Sequence, residues 1–511
     1  MAAVPMPRRS PLKHRLKPGR KAAAARPPGR PRWLRHPALP CLAVLAALGL
    51  AVACSSSSPS QKEEKPQVIL NTPEQDRQVG EESAKQVDAS IAMKDNPALS
   101  RYVDSIGQRL VRNAPRMGFD YQFKIVNQDA PNAFALPGGF VYVSRGLMAL
   151  ANNVDELAGV IGHEIVHVVR RHAAGRQSMQ RAIPPIFRFQ GMKQAAAYGR
   201  DQERESDRLG QSLAALSGYD PQGLANFLNQ LEYTERLRLG FSRMPNFMDT
   251  HPATRERVSA AESRARSIRW QRQAGVDPDP ADYLRRIDGL LVGTGGAEGV
   301  FRGDRFLHPE LGFSLRFPMN WQLLNTPEAV VGVSPQRDAQ IAFEFQGQGD
   351  DPQKAAEEFL AQAQGRGGVK AERIAPIMIG EYPAFRVEGR AAGSSVPLGI
   401  HLTFIAHGGF IYRITGLSMG VSNAKAGIFN SVARSFRPIT PRERASIRET
   451  RLRIVPAQGG ESVQQLSQRV RNAWNIQELA VYNGVFADHR FEQGQLVKVA
   501  LSQPYKGAGG R

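Results

Sequence analysis

Apolar and polar positions along the chain follow two periods, and the switches between them mark its elements. Residues 74–92 and 97–113 carry apolar side chains at helical spacing, the second with Leu99, Tyr102, Val103, Ile106 and Leu110 on one face, which predicts two helices. The run YQFKIVNQ alternates with period two and predicts a strand. The segment NAFALPGGFVYVSRGL predicts a hairpin that turns at Pro137, Gly138 and Gly139 and returns through 140–144. Helical spacing resumes in NNVDELAGVIGHEIVHVVRRHAAG, where Asn153 is the N-cap, Glu156 completes a capping-box pattern, and Leu157, Val160, Ile161, Ile165 and Val166 are apolar. The stretch GRDQERESDRLGQSLAALSGYD predicts a further helix.

Beyond these, the Gly-rich LLVGTGGAEG at 290–299 reads as a linker. GFSLRFPMNWQL, AQIAFEFQG, AFRVEGRAA, PLGIHLTFIAHGG and FIYRITGL predict strands, with helices near 352–364 and 423–435, in an α+β unit without a titratable cluster. Residues 452–501 place a strand LRIV, two helical turns including NIQELAVYNG, and a strand GQLVKVA in a row. That order resembles a degenerate LysM module, a fold that in other proteins binds peptidoglycan. So small a unit is expected to dock on its neighbour.

The chain has 511 residues and a formal charge of +20, which raises nucleic-acid binding as a class. Eleven of those excess positive charges lie before Cys54, where there is no acid, and the remaining +9 accompanies no nucleic-acid motif, so no nucleic-acid partner is expected. ALPCLAVLAALGLAVA at 38–53 has the length of a secretory signal and falls short of the ~20 residues of a membrane-spanning helix. Ala51, Val52 and Ala53 precede Cys54, and a polar SSSSPSQKEEKPQ follows. This resembles a bacterial lipoprotein signal, with Cys54 acylated and Ser55 in the pattern sorted to the outer membrane. A simple cleaved signal with an incidental cysteine is the alternative. Cys41 and Cys54 are the only cysteines, so the folded part has no disulfide framework.

The chemistry concentrates in HEIVH. His163 and His167 stand four residues apart, about 40° apart in helical projection, and so can aim two imidazoles at one ion. Glu164 sits where a carboxylate can take a proton from a zinc-activated water. A chance HExxH is the bland alternative, against which the apolar flanks argue, since three polar groups are costly to bury there without a purpose. A catalytic zinc needs a third protein ligand. Glu203 can supply it, with Asp207 one turn on as the acceptor for a ligand histidine's free N–H. His172, five residues past His167 and roughly 140° round a continuing helix, reads as a structural or C-terminal capping residue. His251 in NFMDTHPATRERVSAAE is either a cap before a helix or a fourth ligand or regulatory group at the zinc.

HEIVH, GRDQERESD, NAFALPGGFVYVSRGL and THPATRERV together closely resemble the gluzincin metallopeptidases that include the CAAX prenyl proteases, HtpX and the periplasmic BepA-like proteases. The resemblance covers about 72–267. It implies one zinc ion per chain on His163, His167 and Glu203, with Glu164 as base and Asp207 in support. It also implies an edge strand at Asn132, Ala133 and Phe134 beside which an extended substrate pairs. Ser206 and Gly199 depart from the usual Ala and Ser, and RAIPPIFRFQGMKQ gives the cleft entrance its own character. The expected architecture is α+β and multidomain. It comprises a signal segment at 1–53, a flexible linker at 54–71, a mainly helical zincin peptidase domain with a small sheet at 72–287, a linker at 288–300, an α+β domain at 301–440 and a LysM-like βααβ unit at 450–505. The expected function is a zinc metalloendopeptidase on the periplasmic side of the outer membrane, held by its lipid or else soluble. It would hydrolyse misfolded or unassembled envelope proteins and touch peptidoglycan through the last unit. An envelope chaperone or assembly factor that uses the protease fold mainly for binding is the alternative.

Overall fold

The computed structural model describes residues 71–91, 93, 96–175, 188–237, 251–252, 254–326, 329–363, 368–391, 398–420 and 423–507, with the backbone alone for 90, 188–198, 235 and 237. The leader with Cys54, the polar stretch up to residue 70 and the RAIPPIF part of the prolyl stretch lie outside the described residues.

Helix α1 (Pro73–Ser90) starts from a capping box of Thr72 and Gln75, and α2 (Pro97–Val111) from the Asn96 side chain. Three strands follow, β1 (Gln122–Val126), β2 (Ala133–Leu136) and β3 (Phe140–Ser144), in sheet order β1-β3-β2. β2 and β3 form the antiparallel hairpin, turning where Gly138 and Gly139 take φ of 82° and 103°, and β1 runs parallel to β3. β2 is therefore an edge strand.

A short α3 (Arg145–Leu150) leads into α4 (Val154–Val169), whose residues 154–168 are all buried. A helix apolar on nearly every side belongs in the middle of a domain. It is packed by α5 (Arg188–Leu216) and α6 (Gln222–Leu237), and α7 (Arg255–Ser267) and α8 (Pro280–Ile287) add side chains to the same core. At the α4–α5 crossing the backbones nearly touch. A Cβ on Gly210 would lie 2.8 Å from the His163 nitrogen, and one on Gly162 would lie 3.0 Å from the Gly210 carbonyl oxygen. Glycine at both positions is what brings the acidic turns of α5 against the histidine turns of α4.

The Gly-rich stretch read as a linker holds a two-residue strand, β4 (Leu291–Val292), which pairs with β16 (Arg448–Pro456). The buried Arg145 fixes it, donating to the Leu291 and Gly293 carbonyls at 2.9 and 2.7 Å. Next comes a four-stranded antiparallel sheet, β15-β7-β6-β5, from β5 (Val300–Arg302), β6 (Arg305–His308), β7 (Phe313–Arg316) and β15 (Arg437–Pro438). A seven-stranded antiparallel sheet has the order β11-β12-β13-β14-β10-β9-β8. Its strands are β8 (Gln322–Asn325), β9 (Ala329–Val333), β10 (Ala339–Gln348), β11 (Val369–Ile379), β12 (Tyr382–Ala391), β13 (Leu398–His407) and β14 (Phe410–Met419). Helices α9 (Pro352–Ala363) and α10 (Asn423–Arg434) cover parts of it. The short α11 (Pro441–Ala445) leads to β16.

The C-terminal unit is a βααβ arrangement, with α12 (Val463–Val470) and α13 (Ile476–Tyr482) between the antiparallel β16 and β17 (Leu496–Pro504). Its Leu452, Val481, Tyr482 and Ala500 share one core with Leu147, Val154 and Leu228 of the helical part. Lys498, fully buried on β17, donates from Nζ to the carbonyls of Ala149, Leu150 and Ala151 at 2.8, 2.9 and 2.9 Å. An ammonium at a helix C-terminus meets both the unpaired carbonyls and the negative end of the helix dipole. No helix among the described residues is long and apolar enough to cross a membrane.

Candidate metal centre

On α4, His163, Glu164 and His167 project into a closed interior and are all buried. Across the glycine crossing, α5 presents Glu203 and Asp207, also buried. His251, just before α7, completes a cluster in which one donor atom each from His163, His167, Glu203 and His251 lie within 4.8 Å of one another. His167 Nε2 is 3.0 Å from His163 Nε2, and His251 Nδ1 is 3.3 Å from His163 Nε2. The Glu203 oxygens lie 2.9 and 3.0 Å from His251 Nδ1, and 3.4 Å from Nε2 of each of the other two histidines.

The donor chemistry fits a cation. His163 Nδ1 faces Asp207 Oδ1 at 3.0 Å, and an ionised carboxylate only accepts, so the ring proton sits there and Nε2 keeps its lone pair. In the neutral ring that lone pair meets other acceptors, including the Glu203 carboxylate at 3.4 Å, a contact that either a bound cation or a second proton on the ring satisfies. Imidazole nitrogens and a carboxylate are the donor types that zinc takes.

Asp207 is held in turn by Arg257, which donates from Nε to Oδ2 at 2.8 Å and from Nη2 to Oδ1 at 2.7 Å, while its Nη1 lies 3.1 Å from Glu203 Oε2. Burial opposes charge on all these groups, yet the pairing wins. Asp207 goes down to about 2 through Arg257 and His163, and the Glu203 carboxyl is held far below the usual range by His251 and His163. On the histidines the balance splits. Asp207 and Glu203 overcome burial and push the His163 ring up to about 9, whereas burial, reinforced by the charges of His163 and His251, holds His167 far below the usual range.

Glu164 lies beside this set. Its buried Oε1 has no hydrogen-bond partner among the described residues, and His251 Nε2 is 3.6 Å from it. A cavity of about 240 Å³ opens onto Glu164, His167 and His251, and its other wall is Phe134, Ala135 and Leu136 of the edge strand. Ala133 is buried at the start of β2 and Phe134 stacks on Tyr142 at 5.0 Å. Asn132, one residue before the strand, donates its N–H to Ser144 Oγ at 2.8 Å.

Two features differ from the sequence reading. α4 ends at Val169 and Arg171 takes a left-handed φ of 53°, so His172 turns back toward the site and its Nδ1 comes within 2.8 Å of His167 Nδ1. The 140° projection assumed a helix that does not continue. Arg257 has no counterpart in the sequence reading, where THPATRERV yielded His251 alone. Its signal was position, since an Arg on the buried face of α7 six residues after His251 requires an acid to face.

Residues 97–265 match the model of Peptidase family M48. A beta-barrel assembly-enhancing protease of Yersinia pestis is 32% identical over 221 residues, covering 38% of this chain and 45% of that protein. The protease of the same name from Escherichia coli K12 is 30% identical over 220 residues, with the same 38% and 45% covered. The mitochondrial metalloendopeptidase OMA1 of Bos taurus is 30% identical over 154 residues, covering 25% of this chain and 29% of that protein. The chain thus spans under half the length of these relatives. Residues 97–265 are thus similar to peptidase family M48, and the buried three-histidine, one-glutamate set lies on the matched segment.

Proposed function

We propose that the chain is a zinc-dependent metalloendopeptidase that hydrolyses peptide bonds of misfolded or unassembled cell-envelope proteins. The observation that carries the reading is the convergence of His163, His167 and Glu203 beside a buried Glu164 oxygen that has no hydrogen-bond partner among the described residues, at the mouth of a cavity walled by an edge strand. The three ligands would hold one zinc ion, whose Lewis acidity activates water and polarises the scissile carbonyl. Glu164 takes the proton from the attacking water and later delivers it to the leaving amide nitrogen. Asp207, braced by Arg257, keeps the His163 lone pair on Nε2. The backbone around 132–134 lines up an extended substrate segment by β-pairing, so apolar side chains enter the cavity beside Phe134 and Leu136.

His251 is the fourth donor. Its 3.6 Å approach to Glu164 and its contact with both Glu203 oxygens support a resting site closed by this ring, which substrate must displace. The same closure favours the second reading, an assembly factor that binds clients and seldom cuts them. The envelope setting rests on the leader, with Cys54 acylated and the chain on the periplasmic side of the outer membrane. The similarity to bacterial beta-barrel assembly-enhancing proteases supports that setting. The βααβ unit is the proposed LysM-like contact to peptidoglycan. If residues 445 to 511 attached to the intact chain make no difference to its sedimentation with purified peptidoglycan, that contact is excluded.

The test of the enzymatic reading is metal analysis with casein digestion before and after chelation. One zinc per chain, cleavage lost on chelation and regained with zinc supports it. Cleavage that survives complete zinc removal rejects it.

A further inference from the structure

His172 is about 1% exposed and lies between a metal-ligand histidine and an acid. Its Nδ1 is 2.8 Å from His167 Nδ1, and its Nε2 is 3.3 Å from Glu205 Oε2. Glu205 is itself fixed, with Arg170 Nε 2.7 Å from its Oε1. Four groups from two helices and the turn between α4 and His172 thus make one line: Arg170, Glu205, His172, His167.

We propose that Glu205 and His172 are positioning residues that set the tautomer and ring orientation of His167. The inference rests on the zinc reading of His163, His167 and Glu203 given above. A carboxylate accepts and cannot donate, so the hydrogen facing Glu205 belongs to His172 Nε2. The neutral His172 ring then carries its lone pair on Nδ1 and accepts from His167 Nδ1–H. With its proton placed there, His167 presents an Nε2 lone pair to the cluster, 3.0 Å from His163 Nε2. The opposite tautomer would aim an N–H into the cluster and could not ligate. Asp207 performs the same service for His163 directly, at 3.0 Å from Nδ1. The two ligand histidines of α4 are thereby oriented from the same stretch of α5, one by a carboxylate and one by a carboxylate acting through a second imidazole. The sequence supplies the parts within one turn, since Glu203, Glu205 and Asp207 serve the ion, His172 and His163 in that order.

The test is the zinc dissociation constant of the full chain, measured by competition with a chromophoric chelator. His172→Phe fills the space without an acceptor and should weaken zinc binding by about 10- to 100-fold. His172→Asn places a carbonyl oxygen where Nδ1 was and should recover most of that loss. Glu205→Ala, at a partly exposed position that the fold tolerates, should weaken binding about tenfold even if His172→Phe does not fold. The thermal midpoint of the zinc-free Glu205→Ala and His172→Asn proteins should match the wild type. Wild-type zinc affinity in both His172→Phe and Glu205→Ala, or an Asn variant no better than Phe, overturns the positioning role. His167→Ala separates the two claims, because wild-type zinc affinity in that variant overturns the zinc reading itself.

Discussion

Arg257 holds Asp207 by two parallel hydrogen bonds, Nε to Oδ2 at 2.8 Å and Nη2 to Oδ1 at 2.7 Å, with both side chains buried. The pair ties α7 to α5 behind the buried histidine cluster, and the same guanidinium also faces Glu203, with Nη1 3.1 Å from its Oε2.

Removing one side of such a pair leaves an uncompensated buried charge. Arg257→Met should therefore destabilise the zinc-free protein by about 3 to 5 kcal/mol. Urea unfolding followed by circular dichroism measures this, and a loss below about 1 kcal/mol would place the pair's charge in contact with solvent.

The same pair sets an acid limb. Asp207 has a folded value of about 2 against an ordinary 3.8, so the stability it contributes is complete above the ordinary value and is lost as pH falls through it toward 2. The amount is roughly 2 kcal/mol. Unfolding midpoints of zinc-free protein between pH 6 and pH 2.5 should show that decline in the wild type and a smaller one in Asp207→Asn.

Lys498 predicts a dependence of the helical domain on the C-terminal unit. Its ammonium serves three carbonyls at the C-terminal end of α3, and Glu156, in the first turn of α4, is the acid that offsets its burial. Burial lowers the lysine to about 7 and raises Glu156 to about 7, each moderated by the other. Lys498→Met should cost about 3 kcal/mol or more, and Glu156→Gln on that background should cost less than it does alone. Thermal unfolding of the two single variants and the double variant measures the coupling.

His251→Ala should open the site. Casein cleavage is expected to rise while zinc exchanges faster, since the ring competes with substrate and also adds a donor. Unchanged cleavage together with unchanged zinc exchange would remove His251 from the centre.

Much of the centre was legible because helical spacing is rigid. A spacing of four from His163 to His167, and of four from Glu203 to Asp207, fixes which side chains share a face whatever the helix packs on. Asn153 caps α4 as read, its side chain accepting from the Glu156 N–H at 2.9 Å, but the Glu156 carboxylate takes the Asn152 N–H, one residue earlier than a capping box requires. The place of His172 beside His167 was not legible, because the left-handed residue that turns it is Arg171, whose side chain gives no turn signal. Lys498 was hidden by alternation, since its face of β17 should meet water and meets the helical domain instead. β11 escaped notice because 371–376 are exposed on both faces of an edge strand, so no period marks them.

The central claim, that a Glu164 carboxylate moves the proton in a zinc peptidase, is tested by Glu164→Gln. The amide keeps the shape of the side chain and removes its basicity. Purified with one zinc per chain, the variant should cleave casein at least ~100-fold more slowly than the wild type. Cleavage at the wild-type rate by zinc-loaded Glu164→Gln would contradict the account.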